Sequence, residues 1–329
     1  MSVTMRVSGP ADLLPLVPHV LGFTPRQSGV IMSVNARGRV GVTARYDLPE
    51  DPQEALAAAA QLLPVLVRES AAGVLVVGYE DVAGESRLFG DAFSRVLGLA
   101  GIAVLDSLAV QGGRWVRPSE PGVGGAMPQA AAVEAELVGM GSAPLPDRAS
   151  LEACFRPGAA AEAVGTVCDG RGAPHDVPSL QEAVQACTAV LDPDAAPVGE
   201  LTSEVLAVAA VGLRSVDLRD SLMALLVPDL QPPTETPALV LLRQSLPPLA
   251  GREREVTERV RTFSTHLPDR HVAPVATLLA AMCWSQGDGA RTLIALDRAR
   301  VAEPDYRLAA LLAELVSSGI RFPAASVPA

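Results

Sequence analysis

Charged side chains near the ends of predicted strands are the residues of this sequence best suited to chemistry on a small molecule. Arg45 and Asp47 close one predicted strand, and Asp106 lies in a later one. The pair Glu80 and Asp81 directly follows a continuous apolar strand. Ligands of open α/β sheets bind at the carboxyl ends of strands, where paired carboxylates could bind Mg²⁺ or transfer protons. The favoured alternative for Glu80 and Asp81 is a solvated turn.

Arginine residues near the C-terminus suit a partner that carries carboxylates or phosphates. Arg291 and Arg298 are seven residues apart and therefore share one face of a predicted helix, and Arg307 lies in the next helix. Trp284 lies just before them and could border a groove for a partner segment. Guanidinium groups bind such oxygens in bidentate geometry. The alternative is a solvated polar face whose arginines are balanced by nearby acidic residues.

Familiar cofactor and catalytic motifs are missing. All 26 basic residues are arginine, so a phosphate-binding loop with its lysine and Schiff-base chemistry are excluded. Four glycine-rich loops lack the third small residue of a dinucleotide fingerprint, and no Gly-x-Ser-x-Gly elbow occurs. His266, Asp269 and His271 could in principle bind zinc, but they straddle a predicted helix joint. We expect neither a cofactor nor a metal.

Composition narrows the classes of partner. The chain has 329 residues, 49% of them apolar, which favours two globular domains with a sizeable core. Its net charge is −11. Residues 1–199 contain 22 acidic residues and 13 arginines, an excess of negative charge that argues against nucleic-acid binding.

Cysteine usage and hydropathy favour the cytoplasm. Cys154, Cys168, Cys187 and Cys283 show no two-residue spacing, so we expect free and mostly buried thiols in a reducing compartment. The first 22 residues do not read as a signal peptide. The longest apolar run, 205–213, is too short to span a bilayer, so no membrane partner is expected.

Periodicity divides the chain into two structural classes. Residues 1–118 alternate strands and helices in the order ββαβαββ, which predicts an α/β domain with a mixed sheet. Residues 119–146 read as a linker rich in glycine and proline with one short helix. Residues 147–329 predict an all-α domain that is partly repeat-like.

Three segments together resemble a known family. They are the run from Asp12 to Ser28, the run from Gly38 to Pro49, and Trp284-Ser-Gln-Gly-Asp-Gly-Ala290 with its continuation to Tyr306. They are similar to the actinobacterial domain-of-unknown-function family numbered 4192. The resemblance implies no established activity, cofactor or substrate. The last segment also resembles a tetratricopeptide-type hairpin, with a small-residue turn and a proline that ends the helix after this turn, the second of the hairpin.

The leading hypothesis is a cytoplasmic, non-catalytic protein-interaction or regulatory module. A protein or acidic peptide would pack against the helical domain, oriented by Arg291 and Arg298. The alternative is an enzyme that acts on a small molecule or nucleotide at the strand ends, around the residues Arg45, Asp47, Glu80 and Asp106. The oligomeric state stays open.

Overall fold

The chain forms two compact units, residues 1–151 and residues 152–329. The computed structural model describes residues 9–320 except for 130, 140, 172–175, 228–229 and 231–234. Within the described residues, no helix is long and apolar enough to cross a membrane.

The first unit is built on a six-stranded mixed sheet in the order β2-β1-β3-β4-β5-β6. The strands are β1 Ser28–Asn35, β2 Val40–Asp47, β3 Ala71–Tyr79, β4 Ala103–Gln111, β5 Arg114–Val116 and β6 Gly124–Ala126. Strands β3 and β4 are parallel, and all other neighbours are antiparallel. The predicted α/β class with a mixed sheet is confirmed. Strand β6, which pairs with β5, lies inside the segment 119–146 that the sequence predicts as a linker.

Two hairpins of this sheet have tight turns, one stabilised by an asparagine side chain and the other formed by two glycines. Between β1 and β2, the Asn35 Oδ1 atom accepts hydrogen bonds from the amides of Arg37 and Arg39, at 2.9 and 3.0 Å. Between β4 and β5, Gly112 and Gly113 both have positive φ angles, 55° and 75°. Two successive residues of this kind are typical of a type I′ turn, which suits the twist of a hairpin.

Helices precede, separate and follow the strands of the first unit. They are a 3₁₀ turn at Pro10–Leu13, α1 Leu16–Leu21, α2 Pro52–Arg68, α3 Arg87–Leu99, α4 Ala131–Gly139 and, containing the division between the units, α5 Arg148–Ala153. The 3₁₀ turn and α1 are separate pieces, and Pro15 immediately precedes α1. Proline removes an amide donor and restricts the residue before it, which explains the interruption.

Helices α2 and α3 bury one face of the sheet. Asp51 starts α2 by accepting hydrogen bonds from the amides of Gln53 and Glu54. Phe89 and Phe93 of α3 lie with ring centroids 4.5 Å apart in a core that also contains Ile31, Val74 and Val76. A β-carbon on Gly78 of β3 would overlap the Ser86 side chain, so a glycine there lets the segment before α3 approach the strand.

Within the described residues of the second unit, the regular secondary structure is helical. Its helices are α6 Ala161–Gly170, α7 Leu180–Leu191, a 3₁₀ turn at Val198–Glu200, α8 Ser203–Gly212, α9 Val216–Leu226, α10 Pro237–Ser245, α11 Glu253–Thr265, α12 Asp269–Ser285, α13 Gly289–Ala302 and α14 Arg307–Ser317. Helix α12 is the centre of the unit, since every residue of 272–283 is buried. The predicted helical class of this half of the chain is confirmed.

Candidate functional site

One edge of the sheet collects the ends of four strands. Ser28 at the start of β1 pairs with Asp47 at the end of β2 and with Tyr79 at the end of β3. Tyr79 in turn pairs with Val110 near the end of β4. We call the part of the sheet around these four residues the Ser28 edge. Their side chains leave the sheet on one face, because directly paired residues share a face.

The Ser28 edge brings two of the four residues proposed for small-molecule chemistry, Arg45 and Asp47, into contact, whereas Glu80 contacts the loop before α3. Arg45 and Asp47 lie on β2, and Glu80 follows Tyr79. Asp106 does not join them, because it pairs with Leu75 near the middle of β3. The four residues therefore do not form a single catalytic cluster.

Arg45 is held by its neighbours at this edge. Its Nε donates to the Ser28 Oγ at 2.9 Å, and its Nη2 lies 2.6 Å from the Asp47 Oδ1. The Ser28 hydroxyl donates in turn to the carbonyl of Arg26 at 2.6 Å. The Arg45 side chain is only 14% exposed, whereas that of Asp47 is 85% exposed. A nearly buried cation is thus paired with a carboxylate that lies in water.

Glu80 closes the loop that leads into α3. Its Oε1 accepts hydrogen bonds from the amide and the hydroxyl of Ser86, at 2.8 and 2.5 Å, and its Oε2 accepts from the Gly84 amide at 2.9 Å. Glu80 is buried, so the solvated-turn alternative is wrong for this residue, although it fits the exposed Asp81. A carboxylate with three internal donors serves the loop and has little capacity left for a substrate.

Asp106 is one half of a bidentate ion pair. Arg117 donates from Nε to Oδ1 at 2.9 Å and from Nη2 to Oδ2 at 2.6 Å. The Ser107 amide also donates to Oδ1, at 2.9 Å. The hydrogen bonds to Asp106 raise the pKa of Arg117. This pair joins β4 to the segment after β5, which is a structural role.

Two hydroxyl groups of the sheet are buried without a hydrogen-bond partner among the described residues: those of Thr43 and Tyr79. Burial raises the pKa of Tyr79 above the ordinary range of a phenol and that of Tyr46 to about 12. Tyr46 lies on the opposite face, against Phe89 and Phe93. Unpaired buried hydroxyls are rare in native proteins and call for an explanation.

These phenols predict an alkaline limit to the stability of the first unit. Because the folded pKa values are raised, the folded state holds its phenol protons more tightly, and unfolding releases them at high pH. The stability contribution is complete below the ordinary pKa of 10 and is lost as the pH rises through about 12. In a Tyr306→Phe variant, phenolate absorbance is expected to appear together with loss of the sheet signal in circular dichroism. Ionisation at the ordinary pKa in the intact fold would contradict this.

In the second unit, Trp284 and Arg291 contact neighbours within the same unit. The Trp284 indole nitrogen donates to the carbonyl of Ile320 at 3.1 Å. The Nη1 of Arg291 lies 2.5 Å from the Glu258 Oε1, and its Nε lies 3.4 Å from the Asp288 Oδ2. The Asp288 side chain also caps α13 by accepting from the Arg291 amide. The carboxylates that Arg291 contacts are therefore supplied from within the unit.

Arg298 is more fully engaged than Arg291. Its Nη1 donates to the carbonyls of Phe155 and Ser264 at 2.6 and 2.9 Å, its Nη2 donates to the carbonyl of Leu267 at 2.9 Å, and its Nε donates to Asp269 at 3.0 Å. The side chain is 10% exposed. Arg298 thus satisfies carbonyls at the end of α11 and does not present a cation to a partner.

Arg307, at the start of α14, is exposed, and within the described residues its side chain makes no hydrogen bond or ion pair.

The residues considered as zinc ligands are held apart by their contacts with different parts of the unit. His266 Nδ1 lies 2.9 Å from the Thr262 carbonyl, whereas His271 Nε2 lies 2.6 Å from the Asp169 Oδ1. In the described part of the chain, no group of three or more His, Cys, Asp or Glu residues is placed to hold a metal ion.

Sequence reasoning missed an apolar groove in the second unit, which we call the α10 groove. Its volume is about 480 Å³. It is lined by Leu225, Leu226, Leu242, Arg243, Leu246, Pro247, Pro248, Leu249, Ala250, Glu253, Val256 and Met282. Helix α10 ends at Ser245, because Leu246 before Pro247 is extended with ψ of 138°. The Leu-Pro-Pro-Leu run that follows was the available signal.

Comparison with known proteins identifies a family without an assigned activity. No curated protein and no solved structure matches the chain. The family model described as Domain of unknown function (DUF4192) matches residues 10–322. This match covers nearly the whole chain and confirms the resemblance seen in the sequence. The chain therefore belongs to the DUF4192 family.

Proposed function

We propose that residues 152–329 form a non-catalytic protein-interaction module that binds an apolar segment of a partner protein in the α10 groove. The observation that carries this proposal is the groove itself. Its volume, about 480 Å³, lies in the range of ligand sites, and most of its wall is leucine, proline and other apolar side chains. Grooves of this kind between helices receive the apolar face of a partner helix.

The chemistry of the wall favours a peptide over a small polar molecule. Sites for small polar ligands place several polar groups so that they converge on the ligand. Here the charged residues of the wall are Arg243 and Glu253, and Glu253 accepts a hydrogen bond from the Gly251 amide at 2.8 Å. Such a wall recognises apolar side chains, which an amphipathic segment supplies at helical spacing.

Arg243 adds a preference for an acidic residue in the partner. It lies 3.1 Å from the Glu235 Oε1, but both side chains are well exposed, at 57% and 65%. An exposed ion pair contributes little, so a partner carboxylate can replace Glu235 at small cost. The occupant is therefore a short amphipathic segment with leucine-like residues and at least one acidic residue.

The proposal keeps the class of function expected from the sequence, a protein-interaction module, but places the contact surface in the α10 groove and not at Arg291 and Arg298. Arg298 is unsuitable as an anchor because its donors are occupied, and Arg291 already has two carboxylates. The carboxylates named for the enzyme alternative, Glu80 and Asp106, are likewise engaged inside the first unit. We also propose a reducing, cytoplasmic location, which the four free cysteines support.

Leu249→Glu is expected to abolish peptide binding. Leu249 is partly exposed in the groove wall, so a charge there opposes an apolar ligand without removing a fully buried side chain. Peptides would be selected from a random library on the full chain, and their affinity measured by fluorescence polarisation. We expect a loss of at least about tenfold, the usual size for an interface anchor.

The matched control is Leu293→Glu, at an exposed leucine of α13 in the same unit. It should leave the affinity within about twofold. If Leu293→Glu lost peptide binding and Leu249→Glu retained it, the contact would lie on the C-terminal hairpin, which would contradict the proposal. If the protein's own chain filled the groove, Leu249→Glu would lower stability and no peptide would be selected, which would also contradict it.

A further inference from the structure

Helix α14 has more apolar surface than its own unit covers. Ala309 and Leu312 are buried, whereas Leu311 and Leu315, one turn apart, are 47% and 38% exposed. Leu308, one turn before Leu311, is partly exposed. Among the described helices, α14 alone has two exposed large apolar side chains at this spacing. We call Leu308, Leu311 and Leu315 the α14 stripe.

The α14 stripe has the composition of the ligand proposed for the α10 groove. A helix that docks in an apolar groove presents its anchors at positions such as i, i+3 and i+7. Leu308, Leu311 and Leu315 have this spacing. Glu314, next to Leu315, is exposed and supplies the acidic residue.

The charges of the two surfaces are complementary. Within the described residues, the Glu314 side chain makes no ion pair, and Arg243 of the groove is paired only with the exposed Glu235. Arg307 lies seven residues before Glu314 and therefore on the same side of α14. The other charged residue of the groove wall is Glu253. Each surface thus carries one charge of each sign beside its leucines.

The part of the chain that contains both surfaces is close to neutral. Residues 200–329 contain 13 arginines and 15 acidic residues, whereas residues 1–199 contain 13 and 22. Two copies can therefore approach through this part with little electrostatic repulsion. Exchange of the α14 stripe between two molecules would cover both apolar surfaces at once.

We propose that the α10 groove receives α14 of a second copy of this chain, so that two copies bind each other reciprocally in a dimer. This inference rests on the proposed function, since it names the partner segment of the same groove. The α14 stripe enters the groove, and Glu314 replaces Glu235 at Arg243. A two-fold dimer uses each surface twice and leaves neither uncovered. Because the contact is between molecules, dilution frees the groove for other peptides.

The test is sedimentation equilibrium of the full chain over a concentration series up to about 1 mM, which reaches weak complexes. Wild type is expected to dimerise. Leu311→Glu and, separately, Leu249→Glu should each raise the dimer dissociation constant about a hundredfold, because a loss of about tenfold at one anchor occurs twice in a reciprocal dimer. Leu293→Glu is the matched control, since Leu293 is 45% exposed. It should leave the dissociation constant within about twofold.

Charge reversal tests which charged residues meet. Arg243→Glu and Glu314→Arg should each weaken the dimer about fivefold, since each places like charges together in both contacts. A chain with both changes has opposite charges again and should dimerise within about twofold of wild type. Without this recovery, Glu314 does not meet Arg243 and the proposed pairing is wrong.

The dimer and the proposed function can fail separately. A chain that stays monomeric up to about 1 mM would overturn the dimer, whereas library peptides selected in the α10 groove would still support the proposed function. A dimer weakened by Leu249→Glu and not by Leu311→Glu would mean that another segment of the second copy fills the groove, which overturns the role of α14. A dimer insensitive to Leu249→Glu would place the contact outside the groove and overturn it as well.

Discussion

Replacement of Arg298 by alanine is expected to destabilise the second unit by about 4 kcal/mol, a loss typical of breaking a buried and hydrogen-bonded charge. Arg298 donates to the carbonyls of Phe155, Ser264 and Leu267. Hydrogen bonds to a charged donor contribute more than neutral ones, and the carbonyls left behind would lose their partner. Lysine should rescue only part of the loss, because an ammonium cannot span the same acceptors.

The stability of the second unit can be followed by itself, because each unit contains one of the two tryptophans. Trp115 lies in β5 of the first unit and Trp284 in α12 of the second. In a Trp115→Phe background, urea unfolding followed by fluorescence reports on Trp284 alone. Arg307→Ala is the control, because Arg307 is exposed, and it should change stability by no more than about 0.5 kcal/mol. If Arg298→Ala and Arg307→Ala changed the free energy of unfolding equally, the hydrogen bonds of Arg298 would not stabilise the unit as proposed.

Glu80→Ala is expected to destabilise the first unit by about 3 kcal/mol, because it leaves buried donors unpaired. The carboxylate accepts from the Gly84 amide and from both donors of Ser86. Glu80→Gln keeps one carbonyl oxygen and should cost less. A catalytic carboxylate would behave differently, since active-site residues are often replaced at no cost or with a gain in stability.

A Trp284→Phe background isolates this unit, with Trp115 as the reporter. Asp81→Ala, at the exposed neighbour, is the control and should cost no more than about 0.5 kcal/mol. A neutral or stabilising Glu80→Ala would contradict the structural role. Glu80 would then again be a candidate catalytic residue.

Much of the fold could be predicted because its signals are local. The continuous apolar run of β3 and the helical period of α2 are properties of a few neighbouring residues. Strand β6 was missed because Gly124–Ala126 has only three residues and no apolar alternation. Its pairing with β5 is a tertiary property.

The role of Arg298 could not be predicted, because the carbonyls that it binds are distant in sequence. Arg298 reaches the carbonyl of Phe155, which is 143 residues away. The spacing of Arg291 and Arg298 correctly indicates one helix, but spacing does not tell whether the side chains face solvent or their own fold. The α10 groove could not be predicted for the same reason, since its wall is formed by residues of α9, α10, α11 and α12.

The most direct test of the proposed function is photo-crosslinking in the native host, with a crosslinking amino acid at position 249 or at position 293. The α10 groove predicts a crosslink from position 249 to an apolar, acid-containing segment of a partner protein, mapped by mass spectrometry. It predicts no such crosslink from position 293. A partner segment captured only from position 293, or no partner segment from position 249, would contradict the claim that this groove is the binding site.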